Sequence, residues 1–106
     1  MEWLTGIRTE IDYMEEHLKD NISAQDVADQ VYLSPFFLQK GFSLMTGYGI
    51  GEYIRSRRLY QAALDLKNTD DKVIDISYAY CYETPESFTK AFSRFPGVTP
   101  SQARDG

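Results

Sequence analysis

Glu52-Tyr-Ile-Arg-Ser-Arg-Arg-Leu-Tyr-Gln-Ala-Ala-Leu-Asp-Leu66 is a helix-forming run with nearly matching segments on either side. Ser34-Pro-Phe-Phe-Leu-Gln-Lys-Gly-Phe-Ser43 precedes it and Thr84-Pro-Glu-Ser-Phe-Thr-Lys-Ala-Phe-Ser93 follows it. Shifted by fifty residues, the two superpose a hydroxyl residue, a proline, an apolar residue (Leu38, Phe88), a lysine, a small residue, a phenylalanine and a serine. This is an internal repeat. Each copy opens with a helix start, because the Ser or Thr oxygen accepts from an orphan backbone N–H and proline suits the first helical position. Two like helices therefore flank one long central helix.

Outward from that core, Leu4, Ile7, Ile11, Met14 and Leu18 recur at spacings of three and four. They predict an amphipathic helix from about Glu2 to Lys19, with Glu10, Asp12, Glu15 and Glu16 on a solvated face. Ser23 is a natural N-cap and Asp26 completes a capping box, so a second helix is expected from Ala24 to about Val31. The tight join between that helix and the one starting at Ser34 reads as a helix-turn-helix. Val27, Ala28, Val31 and Leu33 are its expected inner face, closed by Leu38 and Phe42, with Met45 as a further candidate. Gly47 and Gly49 mark the end of the Ser34 helix.

The central helix has an uneven stripe. Ile50, Tyr53 and Ile54 are apolar, residues 55–58 interrupt with three arginines, and Leu59, Ala62, Ala63 and Leu66 resume, as in a rod serving two small cores. Residues 68–71 break it. Asp71 is the expected cap of a short helix carrying Val73, Ile74, Ile76 and Ser77, which precedes Thr84 as the second helix precedes Ser34. The helix-turn-helix is duplicated. Phe88, Phe92 and Phe95 should line the inner face of the last long helix, and Gly97 to Ser101 should turn into a final helical piece ending at Arg104. The fold expected is all-α, a homeodomain-like tandem: a first helix-turn-helix subdomain over about 1–48, a linker helix over about 49–68 and a second subdomain over about 69–106.

Composition narrows the function. The chain of 106 residues suits one domain, and an effector pocket is not expected at this length. No run of eighteen apolar residues exists, which argues against a membrane span and for a cytoplasmic protein. One Cys and one His supply no disulfide, structural zinc site or catalytic triad, and Cys81 is expected as a buried small residue. The net charge is −5, but residues 1–29 hold eight acids against two bases, whereas residues 30–106 hold nine bases against eight acids. The acidity is local to the front of the chain.

Tyr53-Ile-Arg-Ser-Arg-Arg-Leu59, Ala62-Ala63, and Phe88-Thr-Lys-Ala-Phe92 followed by Gly97-Val-Thr-Pro-Ser101 closely resemble the DNA-binding domain of AraC/XylS-family transcription regulators. The resemblance covers about residues 7–104. It implies seven helices, two helix-turn-helix units joined by a long helix, and a monomer that inserts two recognition helices into neighbouring major-groove segments of double-stranded DNA. No enzyme activity and no cofactor are implied. RNA polymerase is a further expected partner, and with Met1 directly before the first helix, any effector or dimerisation domain is expected C-terminal to residue 106. Two departures stand at the turns, where the family usually has glycine and this chain has Cys81, with Tyr32 at the corresponding first position. Ala103 replaces a frequent aromatic residue.

The positions matching DNA contacts of the family are Pro35, Phe36, Gln39 and Lys40 on the first reading helix and Glu86, Ser87, Thr89 and Lys90 on the second. Gln39 suits adenine, Lys40 and Lys90 guanine or phosphate, Glu86 a cytosine amine and Phe36 a thymine methyl. Phe36 and Phe37 adjoin and cannot both face one core, so one is expected to be exposed. Arg55, Arg57, Arg58, Lys72 and Arg94 are candidate phosphate contacts, the alternative being that an arginine among them ties the two subdomains together by an internal ion pair. Tyr78, Tyr80 and Tyr82 are expected to pack rather than stack on bases. The rival reading is an acidic helical protein-interaction module that has lost DNA affinity, separable by a mobility shift on any duplex at low salt.

Overall fold

Residues 2–94 and 99–105 are described by a computed structural model of the chain, with side chains from residue 5 onward. The helices are α1 (Glu2–Glu16), α2 (Ala24–Val31), α3 (Pro35–Thr46), α4 (Ile50–Asn68), α5 (Val73–Ala79), α6 (Pro85–Arg94) and α7 (Pro100–Asp105). No strand occurs among the described residues. None of these helices is long and apolar enough to cross a membrane. The chain divides into two units, Met1–Arg55 and Ser56–Gly106, with the boundary inside α4.

In the first unit α1 packs on α2 and α2 on α3. Met14, Leu18, Val27, Ala28, Leu38, Phe42, Ile50 and Ile54 are buried. Ser23 caps α2 through the expected box: its hydroxyl oxygen accepts from the Asp26 N–H, and the Asp26 carboxylate accepts from the Ser23 N–H at 2.8 Å. Ser34 caps α3 by accepting from the Phe37 N–H. Gly49 starts α4, its N–H donating to the Glu52 carboxylate at 3.2 Å. Tyr53 ties the head of α4 to this unit, its hydroxyl donating to Glu15 at 2.9 Å and its ring meeting Phe42 edge-on.

The second unit repeats the plan. Its core is Leu59, Ala62, Leu66, Ile76, Tyr80, Phe88 and Phe92, with α5 on α6 and α6 on α7. Thr84 caps α6 by accepting from the Ser87 N–H at 3.0 Å. Tyr80, buried, donates to the Asp65 carboxylate at 2.7 Å; burial first, and then that bond and the Asp65 charge, push its hydroxyl well above the usual phenol range. Tyr82 packs edge-on against Phe88, while Tyr78 is exposed.

Both turns use the same device. Tyr32 and Cys81 are the non-glycine residues with positive φ among those described, at 58° and 71°. In each turn the next residue closes a six-residue ring, Leu33 N–H to Ala28 O at 3.2 Å and Tyr82 N–H to Ser77 O at 3.1 Å. That is the helix-ending arrangement glycine normally serves, so the departures noted in the sequence are positions of real backbone strain, about 1–2 kcal/mol each.

Several expectations require correction. The first helix stops at Glu16 and residues 17–19 form a turn. Glu10 is buried at 4 % exposure instead of lying on the solvated face; it stands three residues after Ile7 and four before Met14, on the apolar stripe itself. Val31 is half-buried, and Leu33, Met45 and Ile74 are exposed, leaving the inner faces narrower than the apolar pattern suggests. Gly47 alone of the two expected glycines has positive φ, 82°. Asp71 does not cap α5. Lys72 holds that position without a side-chain bond, because the Asp71 carbonyl accepts from Arg104 and its N–H donates to Thr69 Oγ1. Cys81 is half-buried because its backbone makes the turn. The final helix runs to Asp105. The Leu4 side chain, Phe95, Gly97 and Val98 lie outside the described residues.

Candidate nucleic-acid interface

Burial of Leu38 and Phe42 on one side of α3 turns Phe36, Gln39 and Lys40 to solvent on the other, as the helical period requires. Pro35 is half-buried at the start of the helix. Lys40 Nζ stands 5.8 Å from the centre of the Phe36 ring, so the two form a joint cationic and aromatic surface one turn apart. The expectation that one of Phe36 and Phe37 is exposed falls short: both are, at 66 % and 62 %, with their rings edge to face 5.4 Å apart. Phe37 lies at the edge of the Leu38–Phe42 face, beside Ile7 and Val31, and stays largely exposed there.

On α6, Phe88 and Phe92 are buried and Glu86, Ser87 and Lys90 are exposed, with Thr89 half-buried. An open hollow on this face is lined by Pro85, Glu86, Thr89, Lys90 and Ser93. Ser93 joins it although a surface serine gives no signal of its own, because its spacing of seven from Glu86 and four from Thr89 places it on the same stripe. Ser87 is turned back from it, its hydroxyl donating to the Thr84 carbonyl at 2.8 Å. Ser87 thus completes the helix start as well as being exposed.

The expected phosphate contacts divide between the units. Arg55 is exposed and its guanidinium lies close to Gly51, where an added Cβ would meet it at 3.2 Å. Arg57 and Arg58 are half-buried, and the Arg57 guanidinium stacks on Tyr60 at 4.9 Å from the ring centre. Lys72 and Arg94 are exposed at the start of α5 and the end of α6. Arg104 has a different task. It donates to the carbonyls of Leu66 at 2.9 Å, Thr69 at 3.3 Å and Asp71, closing the C-terminal end of α4. Among the described residues no group of three or more His, Cys, Asp or Glu is arranged to hold a metal ion.

The family model described as a helix-turn-helix domain matches residues 27–106, both turns and both candidate reading helices included. The chain belongs to the AraC/XylS-type helix-turn-helix family. Among relatives, the HTH-type transcriptional activator AarP of Providencia stuartii is 36 % identical over 92 residues, covering 87 % of this chain and 68 % of AarP. The right origin-binding protein of Escherichia coli K12 is 36 % identical over 98 residues, covering 92 % of this chain and 34 % of that protein. The chain therefore spans about two thirds of one such relative and one third of the other. Solved structures share the AraC-type fold. An AraC-type regulator from Chromobacterium violaceum superposes with a TM-score of 0.91 at 22 % identity, covering 96 % of this chain and 91 % of that one. The DNA-binding domain of AdpA, solved with a target DNA, superposes with a TM-score of 0.86 at 21 % identity over 93 % and 89 % of the two chains.

Proposed function

We propose that this chain is the sequence-specific DNA-binding domain of a transcription regulator, with α3 and α6 inserted into neighbouring major-groove segments of double-stranded DNA. The observation that carries the reading is the pair of Ser/Thr-Pro-capped helices, each burying two large apolar side chains and turning hydrogen-bonding side chains, Gln39 and Lys40 or Glu86 and Lys90, to solvent. On that face Gln39 is suited to adenine, Lys40 and Lys90 to guanine or phosphate, and Glu86 to a cytosine amine, at about 1–3 kcal/mol for a good bidentate pair. Phe36, supported by Lys40, offers a thymine methyl a contact surface. Arg55, Arg57, Arg58, Lys72 and Arg94 take phosphates and fix register. Residues 1–106 act as one AraC-type domain in this reading, within a regulator that also contacts RNA polymerase. The name of AarP as a transcriptional activator supports this. So does the larger size of the right origin-binding protein. The reading assigns the domain no enzyme activity and places it in the cytoplasm.

The test is footprinting of two double variants on an operator selected from random duplexes. Gln39→Ala with Lys40→Ala relaxes sequence preference in one half of the site, and Thr89→Ala with Lys90→Ala relaxes it in the half about one helical turn away. If both variants alter the same base pairs, or if protection covers a single groove segment, the two-reader assignment is wrong. Absence of any mobility shift at low salt would instead favour a protein-interaction module.

A further inference from the structure

Glu10 is the buried charged side chain among the described residues, and it opens on a cavity of about 220 Å³ in the first unit. The walls come from both sides of the unit: Ile7 of α1, Val31 of α2, and Phe37, Leu38 and Phe42 of α3. Glu10 Oε1 is solvent-inaccessible and has no hydrogen-bond partner among the described residues. A desolvated carboxyl with an unsatisfied oxygen is costly and in a native protein calls for an explanation. Removal from water raises its pKa to about 7, so near neutral pH a small electrostatic gain decides whether it is ionised.

An apolar concavity with one convergent polar group has the anatomy of a small-molecule site. The polar group selects the ligand: a carboxylate accepts hydrogen bonds and repels anions, and it forms its strongest bonds with a charged N–H donor. One carboxylate is too few ligands for a metal ion, so the cation must be organic. The walls require an apolar body, and 220 Å³ limits it to a size well below that of a drug-sized molecule. Gly6 also lines the cavity, and among the described residues a Cβ built there meets only Glu10 Oε2, at 4.0 Å.

We propose that this cavity is a binding site for a small primary ammonium ion with an apolar tail, its cation bonded to the Glu10 carboxylate and its tail held between α1 and the inner side of α3. The site lies away from Gln39 and Lys40 on α3 and does not depend on the DNA-binding reading. Occupancy gives the desolvated Glu10 carboxylate a charge-assisted partner.

The experiment titrates the whole chain with n-hexylammonium, n-hexanol and hexanoate at pH 8 by calorimetry, with amide chemical shifts to locate the contact. Hexylammonium binds at least tenfold more tightly than hexanol or hexanoate, with shifts confined to α1, α2 and α3. Glu10→Gln, which keeps the shape, lowers hexylammonium affinity at least tenfold and leaves hexanol within twofold. Gly6→Leu, which fills the cavity from a helical position, abolishes binding of both while circular dichroism stays unchanged. Equal affinity of the amine and the alcohol, undiminished amine binding in Glu10→Gln, or no saturable amine binding in the wild type overturns the proposal.

Discussion

Tyr32 carries a left-handed backbone with its side chain 95 % exposed, so the strain at that position is not offset by packing of the ring. Tyr32→Gly relieves about 1–2 kcal/mol of steric cost and adds roughly 0.5–1 kcal/mol of unfolded-chain entropy. A net stabilisation of about 0.5–1 kcal/mol is expected in urea titration, and a loss of stability would show that the ring contributes more than its exposure implies. Glu10 is a second residue whose cost has a sign that can be worked out. Below pH 4.5 both folded and unfolded chains hold its proton; between 4.5 and about 7 the folded chain alone holds it, so its contribution to stability falls as pH rises through that window. Glu10→Gln mimics the protonated form. The variant should match the wild type near pH 4.5 and exceed it by on the order of 1–3 kcal/mol at pH 8, and a constant gap at both pH values would rule out the charge as the cause.

At the scale of elements, the helix starts were legible because their signals are local. Ser23 with Asp26, and the Ser-Pro and Thr-Pro pairs at residues 34 and 84, each satisfy orphan N–H groups within three residues along the chain. What was not legible depends on distant groups. The failure of Asp71 as a cap follows from Arg104, 33 residues away, which draws the residue's carbonyl into the closure of α4. The charge of Glu10 points to solvent although its spacing puts it on the apolar stripe, and the period of α3 does not give how much of Phe37 its neighbours cover. The period of α6 gives its exposed face, whereas Ser93, which lines the hollow on that face, gives no signal of its own because serine is common at helix surfaces. Leu66 in α4 is fully buried and Leu59 nearly so. Truncation of Leu66 to alanine should cost about 2–5 kcal/mol, measured by chemical denaturation, with Leu59→Ala somewhat less severe. A change below about 1 kcal/mol at both sites would mean that α4 is not part of the second core.

For the molecule as a whole, the separation of charge along the sequence governs affinity for a polyanion. The first 29 residues carry eight acids and two bases, so nucleic-acid binding relies on a few cationic side chains further along and is expected to be specific but weak. If roughly four to six phosphates are neutralised, log K against log salt should fall with a slope of about −4 to −5. Fluorescence anisotropy of a labelled operator across a salt series measures it, and a flat response would exclude phosphate neutralisation as the source of affinity.

The two-unit division has an experimental corollary in the placement of two residues that occur once each. Trp3 belongs to the unit of residues 1–55 and Cys81 to that of residues 56–106. The native chain therefore holds one tryptophan and one thiol label site, each assigned to a different unit. With Cys81 half-buried in a strained turn, its modification rate clocks openings of the second unit without introducing any probe.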